Sequence, residues 1–202
     1  MTANLKQRNK TASMALCGLF AAVTAVCSWI SIPLGFTPVP VNLATLAVFL
    51  AGALLGPKYG PLSMAVYTLA GAAGIPVFAG FRGGFSVLAG PTGGYVLGYI
   101  AAAFVTGFLL DAFLRGGRAA TGRKAPAAVY SFAVYAFAMI CALAACYALG
   151  TSWFMLSTHT GFAASMVMCV IPFLPGDALK ITAATLLDRK STRLNSSHTN
   201  LS

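Results

Sequence analysis

Apolar runs of about twenty residues follow one another along the chain, and this feature limits the possible folds most. A helix needs about 20 apolar residues to cross a bilayer, and four runs reach that length: 12–32, 94–114, 127–149 and 161–187. Two shorter runs, 43–55 and 61–74, flank a predicted tight turn at 56–60. Only 8% of the residues are charged, whereas soluble domains carry about 25%. We therefore predict an all-α polytopic membrane protein with six transmembrane helices.

The positions of the basic residues predict the orientation of these helices. Eleven of the thirteen Lys and Arg residues lie at the N-terminus, at 56–60, at 115–126 or after residue 187. Short loops rich in Lys and Arg stay in the cytoplasm, so we expect both termini to be cytoplasmic. Because the basic residues form no single patch, the net charge of +10 does not indicate a nucleic-acid partner.

Three irregular segments then face the outside, where a ligand would arrive. Residues 33–42 contain three prolines, residues 75–93 contain five glycines and two prolines, and residues 150–160 are polar and uncharged. The second segment also carries aromatic rings and Arg82, side chains suited to contact a ligand. Its glycines do not match a phosphate-binding loop, and the five cysteines show no metal-ligand spacing. We expect no cofactor and no metal.

The last apolar run contains two opposite charges, Asp177 and Lys180. They are three residues apart, so on a helix they share one face. Pro172 should break the preceding helix, and Pro175 suits the first turn of a new one. We therefore expect the sixth helix to be interrupted between Pro172 and Pro175. Charges at membrane depth usually mark a substrate or ion pathway, and a purely structural ion pair is the alternative.

The first apolar run carries small residues four apart on adjoining strips, namely Gly18, Ala21, Ala22 and Ala25. Such faces let another helix approach closely in lipid. The pattern predicts a surface for a partner helix, and ordinary internal packing remains open.

Five segments in register resemble one family, the BioY biotin-binding S components of energy-coupling-factor transporters. They occur in family order, and the resemblance extends over essentially the whole chain up to about Arg189. The segments are Pro38-Val39-Pro40, residues 50–58 (LAGALLGPK), 74–80 (GIPVFAG), 90–95 (GPTGGY) and 172–180 (PFLPGDALK). One departure is at Asn42 and Ala44, where many members have Thr and Gln.

The resemblance implies a substrate-capture protein that has no enzymatic activity of its own. It implies biotin as ligand, and as partners a transmembrane coupling protein and two cytoplasmic ATPases. The expected location is the cell membrane of a prokaryote. One membrane domain would span residues 1–190. The polar tail 191–202 differs abruptly in composition and is interpreted as non-native or disordered.

Biotin has two ureido N–H donors, a ureido carbonyl, an apolar ring and an anionic tail. Asp177 can accept from a ureido N–H while Lys180 donates to the carbonyl, both as charge-assisted hydrogen bonds. Arg82 can meet the carboxylate, although the opposite orientation, with Lys180 on the carboxylate, stays open. Further ligand contacts are expected from Tyr95, Phe78 and Phe81 around the apolar ring, from Thr92 and Gly93 in the segment 90–95 of the resemblance, and from Asn42.

Three other functions compete with this interpretation. The same fold can serve as the S component for another small vitamin. A self-sufficient secondary transporter can use Asp177 and Lys180 as an ion-coupled site, although no inverted repeat is apparent. An intramembrane enzyme is disfavoured, because the spans contain no Ser/His pair and no paired aspartates.

Overall fold

The computed structural model describes residues 2–116 and 128–184, with side chains described for 10–113 and 133–184. Within these ranges the chain is helical except for two short strands and the connecting loops. The elements in chain order are α1 (Thr2–Trp29), β1 (Ser31–Ile32), β2 (Val41–Asn42), α2 (Ala44–Ala72), α3 (Phe85–Ala89), α4 (Gly93–Leu110), α5 (Ala128–Thr158), α6 (Phe162–Cys169) and α7 (174–184).

The helices of the described residues fit a membrane protein. Four stretches are long and apolar enough to cross a bilayer: Lys10–Trp29, Gly93–Phe113, Ala133–Thr158 and Phe162–Ala184. The last of these contains α6, a 3₁₀ turn at Ile171–Phe173, and α7. The predicted class, an all-helical membrane protein, is confirmed.

Helix α2 contains a sharp reversal at Gly56, which has φ 77° and ψ −173°. Such a φ is available to glycine at little steric cost. Residues 57–72 fold back so closely that a Cβ added to Gly60 would lie 3.0 Å from the Cα of Gly52. The predicted five-residue turn at 56–60 is therefore wrong in extent. One glycine makes the turn, and Pro57 already belongs to the next helical segment, where its missing N–H costs nothing.

Helix α5 extends to Thr158, so the predicted outer loop at 150–160 is wrong. Gly150 lies within the continuous helix, where its missing side chain provides room for the ring of Tyr95. A Cβ added at Gly150 would lie 2.3 Å from that ring. At the helix end, the Thr158 hydroxyl donates to the Phe154 carbonyl at 2.7 Å. Only residues 159–161 connect α5 to α6.

The first helix is shorter at its C-terminal end than predicted. It ends at Trp29, and Ser31–Ile32 pairs antiparallel with Val41–Asn42 instead of continuing the helix. The proline-rich segment 33–42 thus begins and ends close to the same point. The fourth helix, predicted to span 94–114, continues beyond Leu110 as a wider π-type turn over Asp111–Gly116.

Helix α4 packs between α2 and α5, and α1 packs against α2. The irregular segments gather at one end of this bundle, where Trp29 contacts Pro76 and Trp153 contacts Gly90. The opposite end contains the Gly56 reversal, packed against Gly107 of α4. This arrangement leaves space between the helices at the loop end.

Candidate ligand-binding pocket

A pocket of about 690 Å³, including the solvent at its open mouth, lies between the helices at the loop end. Ligand pockets are lined mostly by apolar side chains, with a few placed polar groups. Residues of α1, α2, α4, α5 and α7 line it, together with the segments 33–42 and 75–92. Residues from most parts of the described chain therefore line this cavity.

The charged pair lies in the wall of this pocket. Asp177 is 3% exposed and Lys180 is 7% exposed. The Lys180 Nζ donates to Asp177 Oδ1 at 2.8 Å and to Thr45 Oγ1 at 3.0 Å. The Tyr147 hydroxyl donates to the other carboxylate oxygen, Oδ2. A buried ion pair needs such additional hydrogen bonds to offset the cost of desolvation.

The break between α6 and α7 positions the pair. Helix α6 ends at Cys169, Val170 has φ −125°, and the chain makes one 3₁₀ turn at Ile171–Phe173 before α7 starts. Asp177 then lies in the first turn of α7, where the positive end of the helix dipole favours an anion. The predicted interruption is present, and it begins at Val170, two residues before Pro172.

Aromatic side chains form the apolar walls of the pocket. Tyr67 and Phe78 meet edge to face, with ring centroids 5.5 Å apart, and Tyr95 and Tyr147 meet in the same way at 6.5 Å. The hydroxyl of Tyr95 is 3.1 Å from Thr151 Oγ1 and 3.4 Å from the Cys169 carbonyl. These contacts hold the rings in place at the pocket surface.

Seven of the nine residues predicted to bind ligand line the pocket: Asn42, Phe78, Arg82, Thr92, Tyr95, Asp177 and Lys180. Arg82 is exposed and its Nε donates to the Ala79 carbonyl at 3.2 Å, which places the guanidinium at the pocket mouth. Asn42 Oδ1 accepts from the Ala44 backbone N–H at 3.0 Å. Asn42, which differs from the residue in many members of the family, thus also fixes the start of α2.

The structure does not bring Phe81 and Gly93 to the described pocket wall. Phe81 is 64% exposed and stacks on Trp29, with ring centroids 4.9 Å apart. Gly93 lies against the loop backbone, where an added Cβ would be 1.7 Å from the Leu88 carbonyl oxygen. Phe81 therefore contacts the end of α1, and Gly93 is a position where two backbone segments pack closely.

Several pocket residues were not predicted from the sequence, and Tyr147 and Thr45 are the most important of them because both bond the charged pair. Tyr147 lies in a uniformly apolar run, and Thr45 lies 135 residues before Lys180. Only the packing of α5 and α2 against α7 brings them together. A tyrosine in the middle of an apolar span was the one available signal, since its hydroxyl needs a partner there.

The predicted partner surface on α1 needs correction. Ala21 and Ala25 are at most 8% exposed and belong to the core of the chain. Internal packing therefore holds for these two, and their assignment to a partner surface was wrong. Gly18 and Ala22 lie on the exposed side of α1.

The described residues contain no cluster of three or more His, Cys, Asp or Glu side chains that could hold a metal ion. The buried polar groups of the pocket are instead hydroxyls and one ion pair. Such a site can hold a ligand by hydrogen bonds and aromatic contacts.

Comparisons with known proteins agree on one family. A profile described as the BioY family matches residues 1–197. The biotin transporter BioY of Thermotoga maritima is 40% identical over 170 residues, which cover 84% of this chain and 89% of that protein. The biotin transporter BioY of Rhodobacter capsulatus is 36% identical over 194 residues, which cover 91% of this chain and 92% of that protein.

A solved structure shares the fold. It is a crystal structure of the S-component for biotin from an ECF-type ABC transporter, and it matches with a TM-score of 0.78. The match covers 92% of this chain and 93% of that one at 24% sequence identity.

Proposed function

The chain belongs to the BioY family, and from that premise we propose that it is the biotin-binding S component of an energy-coupling-factor importer. In this role it captures biotin in a prokaryotic cell membrane and works with a transmembrane coupling protein and two cytoplasmic ATPases. The observation that carries the proposal is the buried Asp177–Lys180 pair in the wall of an aromatic pocket.

The unused hydrogen-bonding capacity of the pair matches a ureido ring. An ammonium group has three donors, and Lys180 uses two of them on Asp177 and Thr45. An ionised carboxylate offers about four acceptor sites, and Asp177 uses two of them on Lys180 and Tyr147. One donor and two acceptor sites remain. A ureido group needs one donor for its carbonyl and acceptors for its N–H groups.

The position of Arg82 suggests how the ligand is oriented. Arg82 is exposed at the pocket mouth, whereas the Asp177–Lys180 pair is buried. We propose that the ureido ring enters first and contacts the pair, and that the carboxylate stays near Arg82. Phe78 and Tyr95 then flank the apolar ring, and Asn42 and Thr92 complete the polar contacts. The reversed orientation would put the biotin carboxylate beside Asp177, where two anions repel each other.

The proposal includes six membrane-crossing segments, namely the four long helices and the two segments of α2, in one domain of residues 1–190. Both termini are then cytoplasmic, as the basic residues predict. In support, Arg82 and Lys58 lie at opposite ends of the bundle, near Trp29 and near the Gly56 reversal. The tail 191–202 lies outside the described residues. A cysteine at Arg82 should react with an external membrane-impermeant reagent, and one at Lys58 should not.

Identification of the natural ligand tests the function directly. The chain is purified alone from cells supplied with a mixture of vitamins, and released small molecules are identified by mass spectrometry. We expect biotin in about equimolar amount, and no biotin with a variant that has lost both charges of the pair. A different vitamin would overturn the assignment of the ligand. Ion-driven uptake by the chain alone in vesicles would instead support a secondary transporter.

A further inference from the structure

The chain contains two tryptophans, and both bond the backbone of the same loop. The Trp29 Nε1 of α1 donates to the Pro76 carbonyl at 2.8 Å. The Trp153 Nε1 of α5 donates to the Gly90 carbonyl at 3.0 Å. Pro76 and Gly90 lie near the two ends of residues 75–92, which we call the pocket loop. Two different helices therefore hold this loop at opposite ends.

The pocket loop forms one wall of the cavity between these two attachment points. Phe78, Ala79, Arg82 and Val87 line the pocket from within the loop. Little regular structure holds them in place, since the loop contains one isolated bridge, between Phe78 and Arg82, and the five-residue α3. The loop thus depends on contacts with its surroundings, and the two indole N–H bonds are directional contacts of this kind.

Trp29 makes a second contact that explains the backbone of Phe81. Phe81 has φ 57°, a conformation that is unfavourable for a residue with a bulky side chain. Its ring stacks on the Trp29 ring at 4.9 Å with an interplanar angle of 23°. The stack, together with the hydrogen bond to Pro76, binds the first half of the pocket loop to the end of α1.

Trp153 holds the other half of the loop in a tighter setting. A Cβ added at Gly94 would lie 2.2 Å from the Cβ of Trp153, so α5 and the start of α4 are in close contact here. This approach brings the indole to the Gly90 carbonyl, three residues before α4 begins. The second half of the pocket loop is thereby fixed to the α4–α5 contact.

We infer that Trp29 and Trp153 are positioning residues for ligand binding, which hold the pocket loop closed over the bound ligand through one indole N–H each. The inference rests on the proposed function, because it concerns the retention of biotin. Tryptophan at the end of a span can also act simply as a bilayer anchor. The two roles differ in their effect on ligand dissociation. Only hydrogen bonds that hold the pocket loop in place would slow the exit of the ligand.

The test measures the dissociation rate of tritiated biotin from the purified full chain in excess unlabelled biotin. Trp29→Phe and Trp153→Phe keep an aromatic ring and remove the donor. Each should increase the dissociation rate about three- to tenfold, as expected from the loss of one hydrogen bond. The association rate should change much less, because affinity changes within one site arise mainly in dissociation.

The matched control is Phe85→Leu, which alters a 73% exposed ring in α3 of the same loop and leaves both indole donors in place. It should leave both rates unchanged. A second variant separates the donor from the ring. Benzothienylalanine keeps the bicyclic shape and has sulfur in place of N–H, and it can be incorporated at position 29 in the Trp153→Phe background. It should dissociate biotin faster than the same protein with tryptophan at position 29.

The possible outcomes separate the two proposals. Unchanged dissociation rates in both Phe variants, with normal biotin binding by the unmodified chain, would overturn the inference and leave the tryptophans as bilayer anchors. Equal rates for tryptophan and benzothienylalanine would also overturn it. Failure of the unmodified chain to bind biotin would overturn the proposed function, and the inference with it.

Discussion

Two helix breaks in this chain arise from similar residues and have different uses. The break in α2 is made by Gly56 and Pro57, and the break between α6 and α7 contains Pro172, with Pro175 in the first turn of α7. At the first break the backbone reverses, and Gly107 of α4 packs so closely that an added Cβ would lie 2.5 Å from the Gly56 carbonyl carbon. At the second, a Cβ at Gly176 would meet only Val41, at 4.0 Å.

The difference shows what a helix break contributes in each setting. The first break lies at the end of the bundle opposite the pocket, and its glycines allow backbones to touch, which stabilises helix packing in lipid. The second lies beside the pocket, where it directs the first turn of α7 and the Asp177–Lys180 pair towards the cavity. Proline thus marks both breaks. The opposite charges of Asp177 and Lys180 distinguish the binding site from the packing contact, which has only Lys58 beside it.

The largest effect is expected from removing one charge at the second break. Asp177→Ala or Lys180→Ala leaves the other charge buried without its partner, which typically costs about 3–5 kcal/mol. The ligand also loses a charge-assisted hydrogen bond. Biotin affinity should fall at least about a hundredfold, at roughly 1.4 kcal/mol per factor of ten, as measured by titration calorimetry. A loss of less than tenfold would place the ligand away from the pair.

A methyl group at the first break should affect stability and leave binding unchanged. In Gly107→Ala the new Cβ collides with backbone atoms of Gly56 and Pro57, and overpacking of this kind costs about 1–3 kcal/mol. Thermal unfolding of the ligand-free protein should show the loss, while the folded fraction binds biotin normally.

The matched control for that change is Gly176→Ala at the second break. It adds a methyl group to a helical position with ordinary van der Waals contact, and replacing glycine in a helix gains up to about 1 kcal/mol. It should unfold at the same temperature as the unmodified protein or slightly above it. If Gly176→Ala destabilised as much as Gly107→Ala, the contrast between the two breaks would be wrong.

A smaller effect is expected from Tyr147→Phe, which removes the hydroxyl that bonds Asp177 Oδ2. A hydrogen bond to a charged group contributes about 1.5–3 kcal/mol. Removing it destabilises the ligand-free protein as well as the complex, so only part of this free energy appears in the affinity. Biotin affinity should therefore decrease about tenfold, less than for Asp177→Ala. Tyr59→Phe, beside Lys58 at the opposite end, is the control and should bind normally. Unchanged affinity in Tyr147→Phe would exclude a role in orienting the carboxylate.

The second break was predictable from the sequence, whereas much of its surroundings was not. Asp177 and Lys180 are opposite charges in an apolar run, and Pro172 lies within a break whose position depends on local backbone chemistry. Tyr147 and Thr45 became part of the site through packing between distant helices. No local pattern records that packing.

The errors at Gly56 and Gly150 share one physical cause. Glycine in a membrane helix either ends the helix or allows another group to approach, and the sequence alone does not distinguish the two. Gly56 makes the turn by itself, and Gly150 accommodates the ring of Tyr95 within a continuous helix. The misassignment of Ala21 and Ala25 is similar, because small residues suit an internal contact as well as a partner surface.

The double variant Asp177→Asn with Lys180→Met shows whether the Asp177–Lys180 pair contacts the ligand. This change keeps the approximate shape and removes both charges, so no unpaired charge is left in the buried site. The measurement is biotin titration of the purified, monodisperse double variant. We expect a folded protein with unfolding temperature close to that of the unmodified chain and with no detectable biotin binding. Tight binding of biotin by this neutral variant would show that the pair does not contact the ligand and has a structural role alone.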